Sequence, residues 1–316
     1  MATPEARKYI RGRRGDPPAR GARPLPLRLL DERDPAGGRA KAALFLLHPG
    51  PSLLVTGVIV GAAAMALHAA PPPGLALRLV LLMLPAQFAI GAANDLADAR
   101  VDARAKPFKP LARGAVPVWL GVAVVACGAV VSLGAAASLG PAVLGATVCG
   151  LGAGLAYDVR MKRGVLSWAP WWVAFTALPI CAYAAAGHFA GALWWTVPLT
   201  LVLALALHCA NALPDIEGDR SGGVASLPAR LGVRRSRLLA VGGLLLTAAL
   251  TAALMRPLGQ GGPWLPLAWA GVAVVCLGAW SVPSLRRAPF PVLALASAAL
   301  AVAWLAALPV AGAAAP

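Results

Sequence analysis

Nine stretches of about twenty apolar residues divide this chain, at roughly 51–70, 76–96, 116–138, 141–157, 167–187, 191–213, 237–255, 264–282 and 289–309. About 20 apolar residues suffice to cross the hydrocarbon core of a bilayer as an α-helix. Only helices and closed barrels satisfy their backbone groups there. Nine such stretches leave little of a 316-residue chain for anything else. The expected fold is therefore an all-α membrane protein with nine transmembrane helices. Composition agrees: 13% of residues are charged and the mean hydropathy is +0.73, against about 25% charged in soluble domains.

The basic residues fix an orientation. Short cytoplasmic loops collect Lys and Arg. If the N-terminus is cytoplasmic, 26 of the 28 basic residues fall on one side. They occupy the segment before the first span (11), Arg100 to Arg113 (5), Arg160, Lys162 and Arg163 (3), Arg220 to Arg237 (5), and Arg286 with Arg287 (2). Only Arg78 and Arg256 fall on the other side. A wrong helix count would scramble this alternation. The net charge of +16 is thus explained mostly by topology, and no nucleic-acid partner is expected. Residues 1–41, rich in Arg, Pro, Gly and Ala, read as a disordered basic arm; the membrane domain then spans 42–316. The five cysteines lie singly in apolar segments with no CxxC pair, as small core residues do.

Acidic residues are scarce beyond Asp34. There are seven, and six form two clusters. One is Asn94-Asp95-x-x-Asp98-x-x-x-Asp102; the other is Asn211-x-x-x-Asp215-x-Glu217-x-Asp219. Both contain Asn-x3-Asp-x3-Asp, 117 positions apart. Residues four apart share a helix face, so Asn94, Asp98 and Asp102 are expected to form one stripe and Asn211, Asp215 and Asp219 another. Each stripe sits at the C-terminal end of an apolar helix, where the macrodipole is already negative. Carboxylates concentrated there call for cations. Hard oxygen donors select magnesium or calcium, and no His or Cys inside either cluster favours zinc. Two half-sites facing each other would hold a diphosphate between divalent ions. The competing reading, interfacial salt bridges with nearby Arg and Lys, suits a lone carboxylate better than two clusters with one spacing. The recurrence also predicts a pseudo-symmetric bundle around a central cavity, since bundle sites are built from facing helices.

Basic residues follow the acids. Lys106, Lys109 and Arg113 come after the first cluster, and Arg160, Lys162 and Arg163 after the fourth span. These are candidate diphosphate ligands; topology alone also accounts for them. Asp158, the one isolated acid, either accepts a proton during catalysis or pairs with Arg160 or Lys162. His208, three residues before Asn211, either lines the cavity or is a buried, hydrogen-bonded core histidine. Tyr183, Trp171 and Trp172 are candidates for an apolar channel, and Trp194 and Trp195 for the membrane-interface belt.

These motifs resemble the UbiA superfamily of intramembrane prenyltransferases. The family's Asn-Asp-x-x-Asp-x-x-x-Asp motif matches residues 94–102, and its following basic residue and Pro-Leu-x-x-Gly segment match Lys106 and Lys109-Pro110-Leu111-x-x-Gly114. Asp215-Ile216-Glu217-Gly218-Asp219 resembles the second Asp region, followed by Leu227-Pro228-x-x-Leu231-Gly232, and the loop Tyr157 to Arg163 resembles a third patch. The resemblance covers roughly residues 45–310. It implies nine helices around a cavity open laterally to the bilayer. It also implies Mg2+ held by Asn94, Asp98, Asp102, Asp215 and Asp219 with Asp95 beside them, and an isoprenyl diphosphate donor. The implied reaction ionises the donor in a cavity that excludes water, then lets a small, often aromatic acceptor attack the carbocation. Two departures stand out. Lys109 occupies a position where many members have Arg. His48-Pro49 stands where members acting on aromatic carboxylic acids have Arg-Pro, which argues against a carboxylated acceptor. The expected location is the cell membrane, multi-pass, with the site facing the cytoplasm. Competing readings are a terpene cyclase of the same superfamily, needing the same acids, and a transporter or channel. The latter is disfavoured because the spans carry almost no acids away from the cytoplasmic helix ends.

Overall fold

A computed structural model of the chain describes residues 35–106, 108–189, 191–255 and 264–308. Most of the expected arm, 1–34, lies outside the described residues, as do Pro107 and Arg256. Among the described residues the structure is helical, without strands. Helix α1 (Pro35–Leu46) comes first, beginning inside the segment expected to be an arm. Its Ala42 and Leu46 are buried with Ala92, Leu111 and Val116, which gives a short Ala/Leu-rich run a reason to fold. There follow α2 (Pro49–Leu67), α3 (Pro73–Ala105), α4 (Val118–Ala137), α5 (Pro141–Val159), α6 (Ala169–Ala185), α7 (Thr196–Ala212), α8 (Ile216–Ser221), α9 (Leu227–Met255), α10 (Trp264–Ser281), α11 (Pro283–Arg287) and α12 (Phe290–Ala306).

Each of the nine apolar segments is a helix. Seven are long and apolar enough to cross a membrane, and two shorter apolar helices, Trp269–Ser281 and Phe290–Ala306, lie in the final segments. Proline sets several starts: α2, α3 and α5 carry it in the first turn, where its missing N–H costs nothing. Helix α3 is the longest. Good helix formers from Ala97 onward prolong it until Lys106, the residue before Pro107.

The helices pack in a closed circuit. In order α2, α3, α4, α5, α6, α7, α9, α10 and α12, each touches the next, and α12 returns to α2. Buried positions are small: Ser52, Ala62, Ala63 and Ala66 on α2, Gly121, Gly128 and Ser132 on α4. Such residues let backbones approach where lipid offers no hydrophobic drive to associate. The hydroxyls of Thr56, Thr147, Thr247 and Ser297 bond carbonyls one turn back in their own helices. Large apolar residues turn outward instead, among them Leu54, Trp119, Val130 and Leu295. This inversion of the soluble pattern is what a lipid-facing surface requires.

The tightest approach is between α3 and α4. A Cβ on Gly128 would stand 2.5 Å from the backbone carbonyl oxygen of Pro85. A Cβ on Gly154 would instead meet the Ile90 side-chain tip at 2.5 Å, which is able to rotate away. Gly128→Ala is therefore expected to destabilise by about 1–3 kcal/mol, and Gly154→Ala by less. Thermal unfolding in detergent checks the order; equal losses would show that backbone crowding does not govern the α3–α4 contact.

Candidate active site

Helix α3 runs unbroken through the first acidic cluster, but the carboxylates face two ways. On one side, the Asn94 amide Nδ2 donates to Asp158 Oδ1 at 2.8 Å. One turn on, Asp98 Oδ2 is 2.6 Å from Lys162 Nζ, and Arg163 Nη2 is 3.9 Å from Asp98 Oδ1. On the other side Asp95 and Asp102, seven residues apart, both meet Lys109: its Nζ is 2.8 Å from Asp95 Oδ1 and 2.7 Å from Asp102 Oδ2. Lys109 also reaches Asn94 Oδ1 at 3.4 Å. The single stripe expected for Asn94, Asp98 and Asp102 is thus corrected to the pairs Asn94/Asp98 and Asp95/Asp102. Burial disfavours the Lys109 ammonium, but Asp102 and Asp95 outweigh it and hold its pKa above the ordinary lysine range.

His48 joins this side, with Nε2 3.3 Å from Asp95 Oδ2. Its backbone is left-handed (φ 48°) at the residue capping α2, a conformation uncommon outside glycine. Its ring packs on Gly91, where a Cβ would stand 2.7 Å from His48 Cδ2. The motif residue Asp95 therefore contacts a histidine that the sequence offered only as a family departure.

The second cluster departs from expectation. Asn211 ends the run of α7, which stops at Ala212; Leu213 to Asp215 form a turn and Asp219 lies on α8. Pro214 has no N–H for the next helical bond, so Asn211, Asp215 and Asp219 do not share one helical stripe. The break is local, because the Asp219 N–H still bonds the Asp215 carbonyl at 2.8 Å. Asn211 and Asp215 are exposed and Asp219 half-buried. Among the described residues, neither Asp215 nor Asp219 is in an ion pair. Burial first, and then the neighbouring Asp215 carboxylate, push the Asp219 carboxyl above the ordinary 3.8.

That direction has a consequence for stability. A carboxyl whose folded pKa is raised contributes stability below its unfolded pKa and loses it as pH rises through the folded value. Cation-free protein should therefore lose this contribution between 3.8 and the raised Asp219 value. Mg2+ at neutral pH should restore it. Thermal unfolding from acidic to neutral pH, with chelator and with Mg2+, checks this. A Tm at neutral pH indifferent to Mg2+ would contradict an uncompensated acid pair.

The two clusters are linked through the loop after α5: Lys162 and Arg163 meet Asp98, and the Val224 N–H, next to Ala225, bonds the Asp219 carbonyl at 2.9 Å. Backbone contacts stitch the loops together: the Ala225 N–H bonds the Arg163 carbonyl at 3.1 Å. Asp158 is 3% exposed. The ion pair with Arg160 or Lys162 expected as one alternative is absent among the described residues, because Lys162 is taken by Asp98 and Arg160 is exposed. Asn94 takes their place, leaving Asp158 Oδ2 buried without a partner among the described residues. Lys106 and Arg113 are exposed and form no ion pair with described residues.

Aromatic rings back the site. Tyr157 meets Trp171 and His208 edge-on at centroid distances of 6.1 and 6.2 Å. Trp171 also contacts Phe175 and Phe290. His208 is buried, with Nε2 2.8 Å from Ser167 Oγ, as one of its two expected readings had it. Tyr183 and Trp172 spend their polar atoms on the carbonyls of Leu305 and Val197, and Trp194 and Trp195 are exposed. Tyr157 and Phe175 were detectable in sequence, one beside Asp158 and the other one turn from Trp171. Ser167 and Phe290 carried no signal.

The donor set fits magnesium. Its atoms are carboxylate and amide oxygens, two of its acids lack a counter-ion among the described residues, and lysine ammonium groups already stand against the others. Among the described residues no three His, Cys, Asp or Glu side chains close into a ready-made metal cage.

The profile of the UbiA prenyltransferase family matches residues 54–289. The chain belongs to this family. It is also 34% identical over 149 residues to the bacteriochlorophyll synthase 33 kDa chain of Cereibacter sphaeroides, a match covering 45% of this chain and 49% of that one. The chain thus spans about half the length of this curated relative. A UbiA homologue from Archaeoglobus fulgidus bound to GPP and Mg2+ superimposes with a TM-score of 0.64 at 20% identity, over 83% of this chain and 99% of that one. A digeranylgeranylglyceryl phosphate synthase structure gives 0.66 at 16% identity, over 85% and 97%. At these identities the two structures establish the UbiA fold.

Proposed function

We propose that this protein transfers an isoprenyl group from an isoprenyl diphosphate to a small, aromatic acceptor inside the membrane, with Mg2+ as cofactor. The observation that carries this is the linking of two acidic clusters through the basic loop at Lys162 and Arg163 in a UbiA-family chain. Asn94, Asp95, Asp98, Asp102, Asn211, Asp215 and Asp219 would hold Mg2+, which when bound supplies positive charge to the diphosphate. Within this set Asp215 and Asp219 have no counter-ion among the described residues, Asp98 meets Lys162 and Arg163, and Asp95 and Asp102 share Lys109. Lys106, Lys109, Arg113, Arg160, Lys162 and Arg163 orient the diphosphate and stabilise it as it leaves. The allylic C–O bond breaks, the acceptor attacks the carbocation, and Asp158 takes the proton the acceptor loses. Support for that last role is its buried Oδ2 beside Asn94, without a partner among the described residues. The surrounding rings exclude water, which would otherwise quench the cation.

The same reading places nine helices across the cell membrane, the N-terminus in the cytoplasm and the site at the cytoplasmic face, supported by the distribution of Lys and Arg. The likeness to a bacteriochlorophyll synthase chain and to a homologue bound to GPP and Mg2+ supports transfer and does not favour cyclisation. The test is to incubate purified protein with Mg2+ and radiolabelled geranyl, farnesyl and geranylgeranyl diphosphates. A donor consumed only after membrane extract is added is the expected result. Cyclic products without an acceptor would make the protein a cyclase, and no consumption in either case would overturn the proposal.

A further inference from the structure

We infer that the arginines at the shared end of α9, α10 and α11 bind the headgroup of an anionic phospholipid, whose acyl chains lie along α9 and α10. This rests on the membrane placement of the helices and not on the transfer reaction. No Asp or Glu follows Asp219 in the sequence. Arg234, Arg235 and Arg237 on α9, and Arg286 and Arg287 on α11, therefore have no acid in their own stretch to pair with. None of the five is in an ion pair with a described residue. Arg237 is half-buried and the other four are exposed.

The fold brings the two groups to one end of the bundle. On α9 the Val241 carbonyl oxygen lies 3.9 Å from Cys276 Sγ of α10. One turn back along α9 from Val241 is Arg237, and one turn on along α10 from Cys276 is Trp280. Ala240 and Ala279 are buried in the same cluster, so the helices stay together to this level. The chain then turns at Val282 into α11, which folds back on α10: a Cβ on Gly278 would stand 3.6 Å from Leu285 Cδ1. With Leu285 turned to α10, Arg286 and Arg287 stand exposed beside the arginine end of α9.

Topology asks for cations on this side of the bilayer. It does not ask two segments far apart in sequence to gather theirs without an acid. Like charges so gathered repel, and an anion among them offsets the repulsion. Exposed apolar side chains continue from the arginines along the same two helices: Leu238 and Leu239 on α9, Leu277 and Trp280 on α10. A ligand seated on the arginines meets that surface with its other end. A free phosphate has nothing to place there. A phospholipid has its acyl chains, and the guanidinium fork matches its phosphate oxygens.

The test is native mass spectrometry of the full chain released from detergent, titrated with phosphatidylglycerol or with phosphatidylcholine. The wild type should hold phosphatidylglycerol at least about thirtyfold more tightly. R286Q combined with R287Q should weaken phosphatidylglycerol by about thirtyfold and leave phosphatidylcholine unchanged. R286K combined with R287K keeps the charge and should stay within about threefold of wild type. R78Q combined with R100Q removes equal charge elsewhere: Arg100 is on α3, which packs on α1, α2, α4 and α5 and not on α9 to α11. That protein should bind as wild type does. Equal losses in the two Gln pairs would reduce the effect to net charge and overturn the site, as would no loss in R286Q/R287Q. Inorganic phosphate in excess over the lipid should not displace phosphatidylglycerol; displacement would make the patch a soluble-phosphate site and overturn the lipid assignment. Failure here leaves the transferase reading intact, since none of these arginines belongs to the proposed diphosphate site.

Discussion

Asp215→Asn should lower prenyl transfer by about a thousandfold, equivalent to ~4 kcal/mol in the barrier, with no loss of Tm. Asp215 is exposed, makes no side-chain capping bond to α8, and forms no ion pair with described residues. Asparagine keeps its shape and is an equally good N-cap. Nothing in the fold depends on the charge. The substitution in fact relieves Asp219, whose carboxyl is pushed up by burial and by Asp215, so the metal-free protein should be as stable or slightly more stable. Glu217 sits in the same run, two residues on, and Glu217→Gln should leave activity within about threefold, the scale of an exposed charge. Activity, Mg2+ titration and thermal unfolding on the two variants separate the alternatives. If Asp215→Asn keeps full activity, the second cluster is an interfacial charge patch and the cation reading fails.

The helices were legible because lipid imposes one rule on every span: each needs its own run of apolar residues, and each run declared itself. The first acid motif was legible for a related reason, since carboxylates beside apolar spans are costly and therefore rare. What was not legible came from side-chain direction and from backbone breaks. Spacing of four placed Asn94, Asp98 and Asp102 on one stripe, but a helix turns 3.6 residues, not 4. The drift over two turns brings Asp102 back toward Asp95, and Lys109 meets both. At the second motif the same spacing misled because Pro214 ends the helix between Asn211 and Asp215. The partner of Asp158 was missed because a polar amide 64 residues away outcompeted basic neighbours two and four residues on. His208 read two ways in sequence, and only its distance to Ser167, a residue without any motif, separated them.

Lys109→Met should be the most damaging single change outside the helix contacts. Asp95 and Asp102 are 2% and 5% exposed, and Lys109 is the cation that meets both. Removing one partner of a buried charge group costs about 3–5 kcal/mol, because the other charge stays behind unpaired. Here two stay behind, and His48 touches only Asp95. Poor yield, or a Tm lower by roughly 10 °C, is expected. Lys109→Arg keeps the charge but replaces a compact ammonium with a planar fork, which must meet two carboxylates and Asn94 from one position; it should fall between. The decisive protein is Lys109→Met combined with Asp95→Asn and Asp102→Asn. If the lysine acts mainly as counter-ion, that triple variant regains most of the wild-type Tm while remaining inactive, since neutral amides need no ammonium but still remove charge from the site. If Lys109→Met unfolds at the wild-type temperature, the ion contacts are not what fixes residues 108–116 against α3, and the buried Leu111 and Val116 must hold that loop alone. Recovery of stability without activity would separate what Lys109 does for the fold from what the acids beneath it do for catalysis.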